Sequence, residues 1–232
     1  MIQPVDHPSP NRESRPDGAA VDILLLHYTG MLTGAAALER LCQPDAKVSA
    51  HYLIEEDGRI IRLVPEPLRA WHAGLACWAG KSDINDRSIG IELVNPGHEF
   101  GYRPFPEPQM AALIQLAEGI RARHPIPPYR VLGHSDVAPK RKQDPGELFD
   151  WPRLARHGLG VWPRELPEPS AIPGLDWFLP RLARAGYCPD ADPTALVTAF
   201  QRHFRPEAVT GRPDTGTAAR LTGLLKMLGR AG

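Results

Sequence analysis

The most constraining feature of the sequence is an apolar segment near its start, from Val21 to His27, with four consecutive aliphatic residues at its centre. A short apolar run between polar neighbours is typical of a buried strand. The run ends in His-Tyr-Thr-Gly, so the strand would carry His27 at its carboxyl end. We therefore predict a domain built around this strand.

The other elements predict an α/β fold, with a mixed central β-sheet flanked by helices and a small C-terminal three-helix domain. Residues 107–123 show the clearest helical spacing of apolar side chains. Asp57-Gly58 is the expected turn of a hairpin. The predicted strands are 21–27, 51–54, 59–64, 88–94 and 130–134, and the predicted helices are 34–41, 107–123, 151–157, 175–185, 193–204 and 215–228.

Four prolines between Pro163 and Pro173 mark the best candidate for a linker. We predict a loose arm at residues 1–20, the α/β domain at 21–162, the linker at 163–173 and the helical domain at 174–232.

Composition excludes several classes of partner. Lys+Arg and Asp+Glu are both 27, so the basic excess of a nucleic-acid binder is missing. No apolar stretch is long enough to span a bilayer. Residues 1–18 are polar and proline-rich, without the apolar region of a secretory signal, which predicts a cytoplasmic protein. The alternative is a periplasmic protein whose signal or lipoprotein anchor has been removed.

The cysteines are few and widely spaced: Cys42, Cys77 and Cys188. An odd number without a C-x-x-C pair predicts neither a disulfide framework nor a cysteine-based zinc site. We expect free thiols in a reducing compartment.

Three of the nine histidines, His27, His51 and His134, lie at predicted strand ends, where α/β sheets usually build their sites. A catalytic zinc needs three ligands from His, Asp or Glu and an open position for water. No H-E-x-x-H is present, so distant segments must supply the ligands. Two carboxylates follow His134. Spacing on an extended strand slightly favours Asp136 over Asp144.

The segment 133–146, Gly-His-Ser-Asp-Val-Ala-Pro-Lys-Arg-Lys-Gln-Asp-Pro-Gly, resembles the zinc-dependent type 2 N-acetylmuramoyl-L-alanine amidases, and most closely their AmpD/AmiD branch. The resemblance covers about residues 20–162. Matching blocks occur in the family's order at 26–29 (Leu-His-Tyr-Thr), 49–54 (Ser-Ala-His-Tyr-Leu-Ile), 70–74 (Ala-Trp-His-Ala-Gly) and 85–93 (Asn-Asp-Arg-Ser-Ile-Gly-Ile-Glu-Leu). Any one block would be weak, but together they are specific.

The resemblance implies one zinc ion per chain, held by His27, His134 and Asp144, because the family's carboxylate ligand directly precedes Pro-Gly. It implies that Glu92 is the general acid/base and that Lys142 stabilises the oxyanion of the transition state. Without the resemblance, Glu92 would be interpreted as a glutamate on the solvent face of a strand and Lys142 as a surface lysine.

The remaining residues have weaker assignments. We expect Asp136 to cap a loop or support the ligands, and His51 to be a buried support of the zinc region. Lys140 and Arg141 are interpreted as a solvated charge run, although one of them could contact substrate carboxylates. Core packing is as good an interpretation of Trp71 as substrate contact. The weak candidates for substrate contact are Trp71, His72, Asn85 and Arg87.

The implied activity is hydrolysis of the amide bond between N-acetylmuramic acid, or its 1,6-anhydro form, and L-alanine in peptidoglycan fragments or the sacculus. Some anhydro-specific members carry Asn after the first zinc histidine. This chain has Tyr28 there, so strict anhydro specificity is not implied. The alternative is a non-catalytic recognition protein that has lost its metal site. This chain keeps the three implied ligands, His27, His134 and Asp144, and also Glu92, so a loss of catalysis is not indicated. A monomer is favoured.

The C-terminal helices resemble a second small family. Residues 199–206, Gly211 and 214–217 resemble the three-helix peptidoglycan-binding domain that often accompanies these amidases. A helical cap that only stabilises the catalytic domain is an equal alternative.

Overall fold

The computed structural model describes residues 3–163 and 168–230. Residues 164–167 of the predicted linker lie outside the described residues, so the linker remains a prediction. No helix in the described ranges is long and apolar enough to cross a membrane.

The structure contains a mixed six-stranded sheet, which confirms the predicted fold class. Its spatial order is β1-β5-β4-β7-β3-β8, and β2 and β6 form a separate two-stranded sheet. Only the β4–β5 hairpin is antiparallel among the described pairs of the large sheet. The strands are β1 (Val5–Asp6), β2 (Arg12–Ser14), β3 (Ile23–Tyr28), β4 (Tyr52–Ile54), β5 (Ile60–Arg62), β6 (Leu68–Ala70), β7 (Ser88–Leu93) and β8 (Val131–Gly133).

All six predicted helices are present, and the described residues contain two further short α-helices that the sequence pattern did not predict. One added helix directly follows β8, and the other begins at Gly97, after a three-residue connection from β7. The helices are α1 (Gly34–Cys42), α2 (Gly97–Phe100), α3 (Glu107–Arg123), α4 (His134–Val137), α5 (Trp151–Arg156), α6 (Leu175–Ala185), α7 (Pro193–Phe204) and α8 (Thr215–Met227).

Residues 3–20, the described part of the predicted loose arm at 1–20, are packed against the α/β domain and do not form a loose arm. Strand β1 adds to the edge of the large sheet beside β5, and β2 pairs with β6. The guanidinium of Arg15 is partly buried and donates to the carbonyl oxygens of Asn85, Asp86 and Ser88 at 2.8–2.9 Å. Charge-assisted hydrogen bonds to backbone oxygens fix this segment against the strand that carries Glu92.

The central strand β3 has a different layer on each face. Leu24 and Leu26 belong to a buried cluster with the apolar side of α3. Ile23 and Leu25, on the opposite face, belong to a cluster that includes Phe178 of α6 and Phe200 of α7. The C-terminal helices therefore share a hydrophobic core with the α/β domain, as a helical cap would. Binding of peptidoglycan by these helices remains a prediction.

A disulfide joins Cys77 to Cys188, with a Cα–Cα distance of 6.0 Å, and corrects our expectation of free thiols. Cys77 lies in the loop after β6, and Cys188 lies between α6 and α7. The two residues are 111 positions apart in sequence. The bridge therefore fastens the C-terminal helices to a loop of the α/β domain, and only Cys42 is free among the described cysteines.

Candidate active site

Three buried side chains meet at the carboxyl end of the sheet. The Nδ1 atoms of His27 and His134 lie 2.9 Å apart, and each lies 3.0 Å from Oδ2 of Asp144. His27 ends β3 and His134 directly follows β8, its neighbour in the sheet. Asp144 arrives from the following loop. Within the described ranges, these residues form the one group of three that could hold a metal ion.

The partner of Nε2 on each imidazole determines whether Nδ1, the nitrogen nearest Asp144, carries a proton. Nε2 of His134 lies 3.0 Å from the carbonyl oxygen of Ala73, to which it must donate. Nε2 of His27 lies 3.0 Å from Nδ1 of His72. A proton on both Nε2 atoms leaves both Nδ1 atoms as acceptors, because a neutral imidazole carries only one N–H.

A hydrogen-bond chain behind His27 supports this assignment. The Ser88 hydroxyl donates to the carbonyl oxygen of Ile84 at 2.7 Å, so it accepts from Nε2 of His72 at 3.3 Å. Nδ1 of His72 is then free to accept from His27. Gly90 makes room for this ring, because a Cβ there would lie 2.5 Å from His72. Ring orientation fixed from behind in this way is typical of metal-binding histidines.

Three acceptor atoms therefore face one another with no donor between them. Such an arrangement is unfavourable by itself and becomes favourable around a cation. Two imidazole nitrogens with one carboxylate oxygen suit a divalent transition metal, and three protein ligands leave a position open for reaction. The residues present fit a catalytic metal ion.

The electrostatics of the site agree with a neutral His27 and an ionised Asp144. Burial, with a contribution from His134, lowers the pKa of His27 to about 4. Burial alone would raise the pKa of Asp144, but His134 and His27 outweigh it and hold that pKa far below its usual range.

Glu92 lies beside the three ligands. It is directly opposite His27 in the β3–β7 register, so both side chains project from the same face of the sheet. Its Oε2 atom is buried and has no hydrogen-bond partner among the described residues. Burial, reinforced by Asp144, raises the pKa of Glu92 well above its usual value. A carboxylate in this state is suited to exchanging protons.

These residues open into a polar cavity of about 610 Å³. Lys142 lines this cavity with Glu92, and its charge is close enough to affect the pKa of Glu92. Arg141 also lines it and donates to the carbonyl oxygens of Ala73 and Leu75 at 3.0 and 2.6 Å. Arg141 therefore holds the loop that orients His134, a role that no pattern in the sequence indicated.

The weak candidates for substrate contact occupy structural positions. Trp71, Asn85 and Arg87 are absent from the residues that line the cavity. The Trp71 indole donates to Glu13, and Oδ1 of Asn85 accepts from two backbone amides. Arg87 pairs with Asp22. His72 does line the cavity, but both its ring nitrogens are engaged by His27 and Ser88.

The two predicted supports lie where they were expected. His51 is fully buried, accepts from the Gly90 amide at 3.0 Å, and packs edge-on against His72. Asp136 is not part of the possible metal group. Its carboxylate accepts from the Gly133 amide at 2.8 Å, which caps the short helix that begins at His134.

Comparison with known proteins gives the same family by sequence and by structure. The family model for N-acetylmuramoyl-L-alanine amidase (Amidase_2) matches residues 17–147. The chain is 38% identical to N-acetylmuramoyl-L-alanine amidase AmiD of Escherichia coli K12 over 237 aligned residues, which cover 90% of this chain and 84% of AmiD. It is 34% identical to 1,6-anhydro-N-acetylmuramyl-L-alanine amidase AmpD of Enterobacter cloacae over 63% of this chain and 86% of AmpD.

Solved structures extend the similarity to the C-terminal helices. The structure of E. coli AmiD with the substrate anhydro-N-acetylmuramic acid-L-Ala-D-gamma-Glu-L-Lys superposes with a TM-score of 0.83 at 37% identity, covering 94% of each chain. The structure of AmpDH3 from Pseudomonas aeruginosa with anhydromuramic pentapeptide has a TM-score of 0.81 at 36% identity, covering 94% of this chain and 96% of AmpDH3.

Proposed function

The chain belongs to the N-acetylmuramoyl-L-alanine amidase family, and we propose that it hydrolyses the amide bond between the lactyl group of N-acetylmuramic acid and L-alanine with a zinc ion and the carboxylate of Glu92. It is a hydrolase that acts on muropeptides, like its relatives AmiD and AmpD. The observation that carries the proposal is the meeting of His27, His134 and Asp144 beside Glu92.

One zinc ion per chain would be held by Nδ1 of His27, Nδ1 of His134 and a carboxylate oxygen of Asp144. When bound, zinc supplies the Lewis acidity that makes water nucleophilic near neutral pH and polarises the amide carbonyl. His72 and the Ala73 carbonyl keep the two imidazoles in the required tautomer. The resemblance of the sequence motifs to the zinc-dependent amidases also favours zinc over other divalent metals.

Glu92 supplies the proton transfers. Its carboxylate takes a proton from the attacking water, whose oxygen bonds to the carbonyl carbon. Glu92 then passes this proton to the alanine nitrogen as the C–N bond breaks. The products are the carboxylic acid of the muramyl lactyl group, which keeps the second proton of the water until it ionises, and a stem peptide with a free amino terminus. Lys142 stabilises the negative charge that develops on the carbonyl oxygen.

The form of the substrate, the location of the protein and its oligomeric state remain proposals. The substrate can be a soluble fragment or the sacculus, and either form of the sugar, because Tyr28 breaks the pattern of anhydro-specific members. The cytoplasmic location remains a prediction. The Cys77–Cys188 disulfide supports the periplasmic alternative, because disulfides persist in oxidising compartments. A monomer also remains a prediction.

The decisive assay identifies the bond that is cut. Zinc-loaded protein is incubated with anhydro-muropeptide, reducing muropeptide or sacculi, and the products are analysed by mass spectrometry. We expect free stem peptide with L-alanine at its new amino terminus, and none with the His134→Ala variant. If no peptide is released while zinc is present at one per chain, the protein is a recognition protein and the proposal is wrong.

Replacement of Lys142 tests the oxyanion role. Lys142→Met should lower kcat by about 10²- to 10³-fold, the range seen when one oxyanion donor is lost, and should leave zinc content unchanged. Lys140→Met is the matched control, because Lys140 is an exposed lysine outside the cavity lining. Turnover by Lys142→Met equal to that of the control would exclude a role for Lys142 in stabilising the oxyanion.

A further inference from the structure

We propose that the C-terminal helical domain holds the metal ligands in place, with Tyr187, His203 and Arg202 acting as positioning residues for His134 and Asp144. This inference rests on the metal site of the proposed function. It assigns the C-terminal helices a role in the geometry of that site, separate from any binding of peptidoglycan.

The first observation is a buried hydrogen-bond hub at Asp136, which is 1% exposed. The Tyr187 hydroxyl donates to Oδ1 at 2.6 Å, and the Nδ1–H of His203 donates to Oδ2 at 2.7 Å. Oδ2 also accepts from the Gly133 amide. The carboxylate thus bonds two side chains of the C-terminal domain and the residue before His134.

The position of Asp136 makes this hub important for the metal site. It lies two residues after His134 in α4, a helix of four residues that are all buried. A helix of one turn has little stability of its own, so tertiary contacts must fix its orientation. The His203 ring stacks on Trp151 with 3.7 Å between the ring centroids, so the imidazole that donates to Asp136 has little freedom to move. Tyr187 and His203 therefore set the position of the backbone that presents His134.

The second observation concerns Arg202, the neighbour of His203 on α7. Its guanidinium donates to Oε1 of Gln143 at 2.9 Å and forms an ion pair with Glu147 at 3.5 Å. Gln143 and Glu147 lie on either side of Asp144 in the sequence. Adjacent residues at the end of α7 therefore hold the segments of two metal ligands that are ten residues apart.

The third observation concerns the loop that orients the imidazole of His134. The Ala73 carbonyl in this loop accepts from Nε2 of His134. Four residues later, the Cys77 amide donates to the carbonyl oxygen of Val137 in α4 at 2.8 Å, and Cys77 forms the disulfide with Cys188. Cys188 directly follows Tyr187. The same part of the C-terminal domain thus restrains both the helix that carries His134 and the loop behind its ring.

Tyr187→Phe is the direct test, and Tyr52→Phe is its matched control. Each substitution removes a hydroxyl that donates to a buried carboxylate. The Tyr52 hydroxyl donates to Glu66 at 2.7 Å, and neither of these residues lines the cavity. Zinc affinity is measured by chelator competition, and ligand geometry by the visible spectrum of the Co²⁺-substituted protein. Thermal unfolding of the metal-free proteins measures any general loss of stability.

We expect Tyr187→Phe to weaken zinc binding by about tenfold or more, as loss of outer supports of metal ligands does, and to change the Co²⁺ spectrum. The control should lose similar thermal stability with neither effect. Arg202→Met replaces a partly exposed side chain, so it should fold, and it should also weaken zinc binding.

Wild-type zinc affinity and an unchanged Co²⁺ spectrum in both Tyr187→Phe and Arg202→Met would overturn the inference, and so would equal losses of zinc affinity in Tyr187→Phe and Tyr52→Phe. A wild-type protein that binds no zinc would overturn the proposed function as well. The two failures are therefore distinguishable.

Discussion

Replacement of His134 by alanine is expected to give a folded protein that no longer retains zinc at one per chain and has lost at least about 10³-fold in kcat/KM. The zinc ion is expected to contribute several kcal/mol to transition-state stabilisation, and every 1.36 kcal/mol corresponds to a factor of ten in rate. Without His134, only His27 and Asp144 remain, fewer than the three protein ligands that catalytic zinc sites use.

The structure gives this prediction a specific control. His157→Ala also removes an imidazole near a carboxylate, but His157 is an exposed residue that meets Glu118 on the surface at 3.3 Å. This variant should keep its zinc and its turnover. Chelation should inactivate the wild-type protein, added zinc should restore it, and the same zinc should not restore His134→Ala. Full activity of metal-replete His134→Ala would show that the ligand assignment is wrong.

Local sequence pattern predicts the repeating elements well. Helices α3, α6 and α7 begin and end at the predicted residues. The signals for a helix and its ends are apolar spacing and flanking Pro or Gly, and these can be read from residues that are close together in the sequence. Strands β1, β2 and β6 were missed. They contain two or three residues each, which is too short to show a period.

Long-range pairings explain the other errors. The Cys77–Cys188 disulfide joins residues 111 apart, and an odd number of scattered cysteines gave no sign of it. Disulfide formation depends on Cα separation and side-chain direction, which sequence does not encode locally. The Asp136 hub is similar, because its partners Tyr187 and His203 come from the C-terminal helices, 51 and 67 positions away in sequence.

The candidate site was predictable in its reacting residues and only partly in the residues that support them, because His51 and Asp136 were expected as supports but His72 and Arg141 were not. The family motifs indicated His27, His134 and Glu92, and the β3–β7 register then places Glu92 opposite His27. His72 was considered for substrate contact because a motif does not tell which way a side chain points. Its bond to His27 depends on the space that Gly90 leaves, a property of the assembled sheet.

Glu92→Gln is expected to bind zinc as tightly as the wild-type protein and to lose about 10²- to 10⁴-fold in kcat, the usual contribution of a positioned general base. The substitution preserves size and shape, so the packing around β7 should not change. The carboxamide cannot accept the proton from water or deliver it to the alanine nitrogen. Zinc content and single-turnover rates separate this loss of chemistry from a loss of metal.

The pH profile adds a second measurement of the same residue. Because burial and Asp144 raise the pKa of Glu92, its base form is lost at a higher pH than for an ordinary glutamate, whose value is 4.5. The kcat of the wild-type protein should therefore fall as pH decreases through a value above 4.5. The residual activity of Glu92→Gln should lack this limb, since no carboxylate remains there to be protonated.

Glu107→Gln is the matched control for Glu92→Gln, because Glu107 is an exposed glutamate whose known partner is Arg153 on the surface. It should retain wild-type kcat and the wild-type acid limb. Unchanged kcat in Glu92→Gln would remove Glu92 from the proton transfers. Loss of zinc from Glu92→Gln would instead make Glu92 part of the metal site. Only a zinc-loaded variant with little turnover fits a general base whose buried Oε2 atom has no hydrogen-bond partner among the described residues.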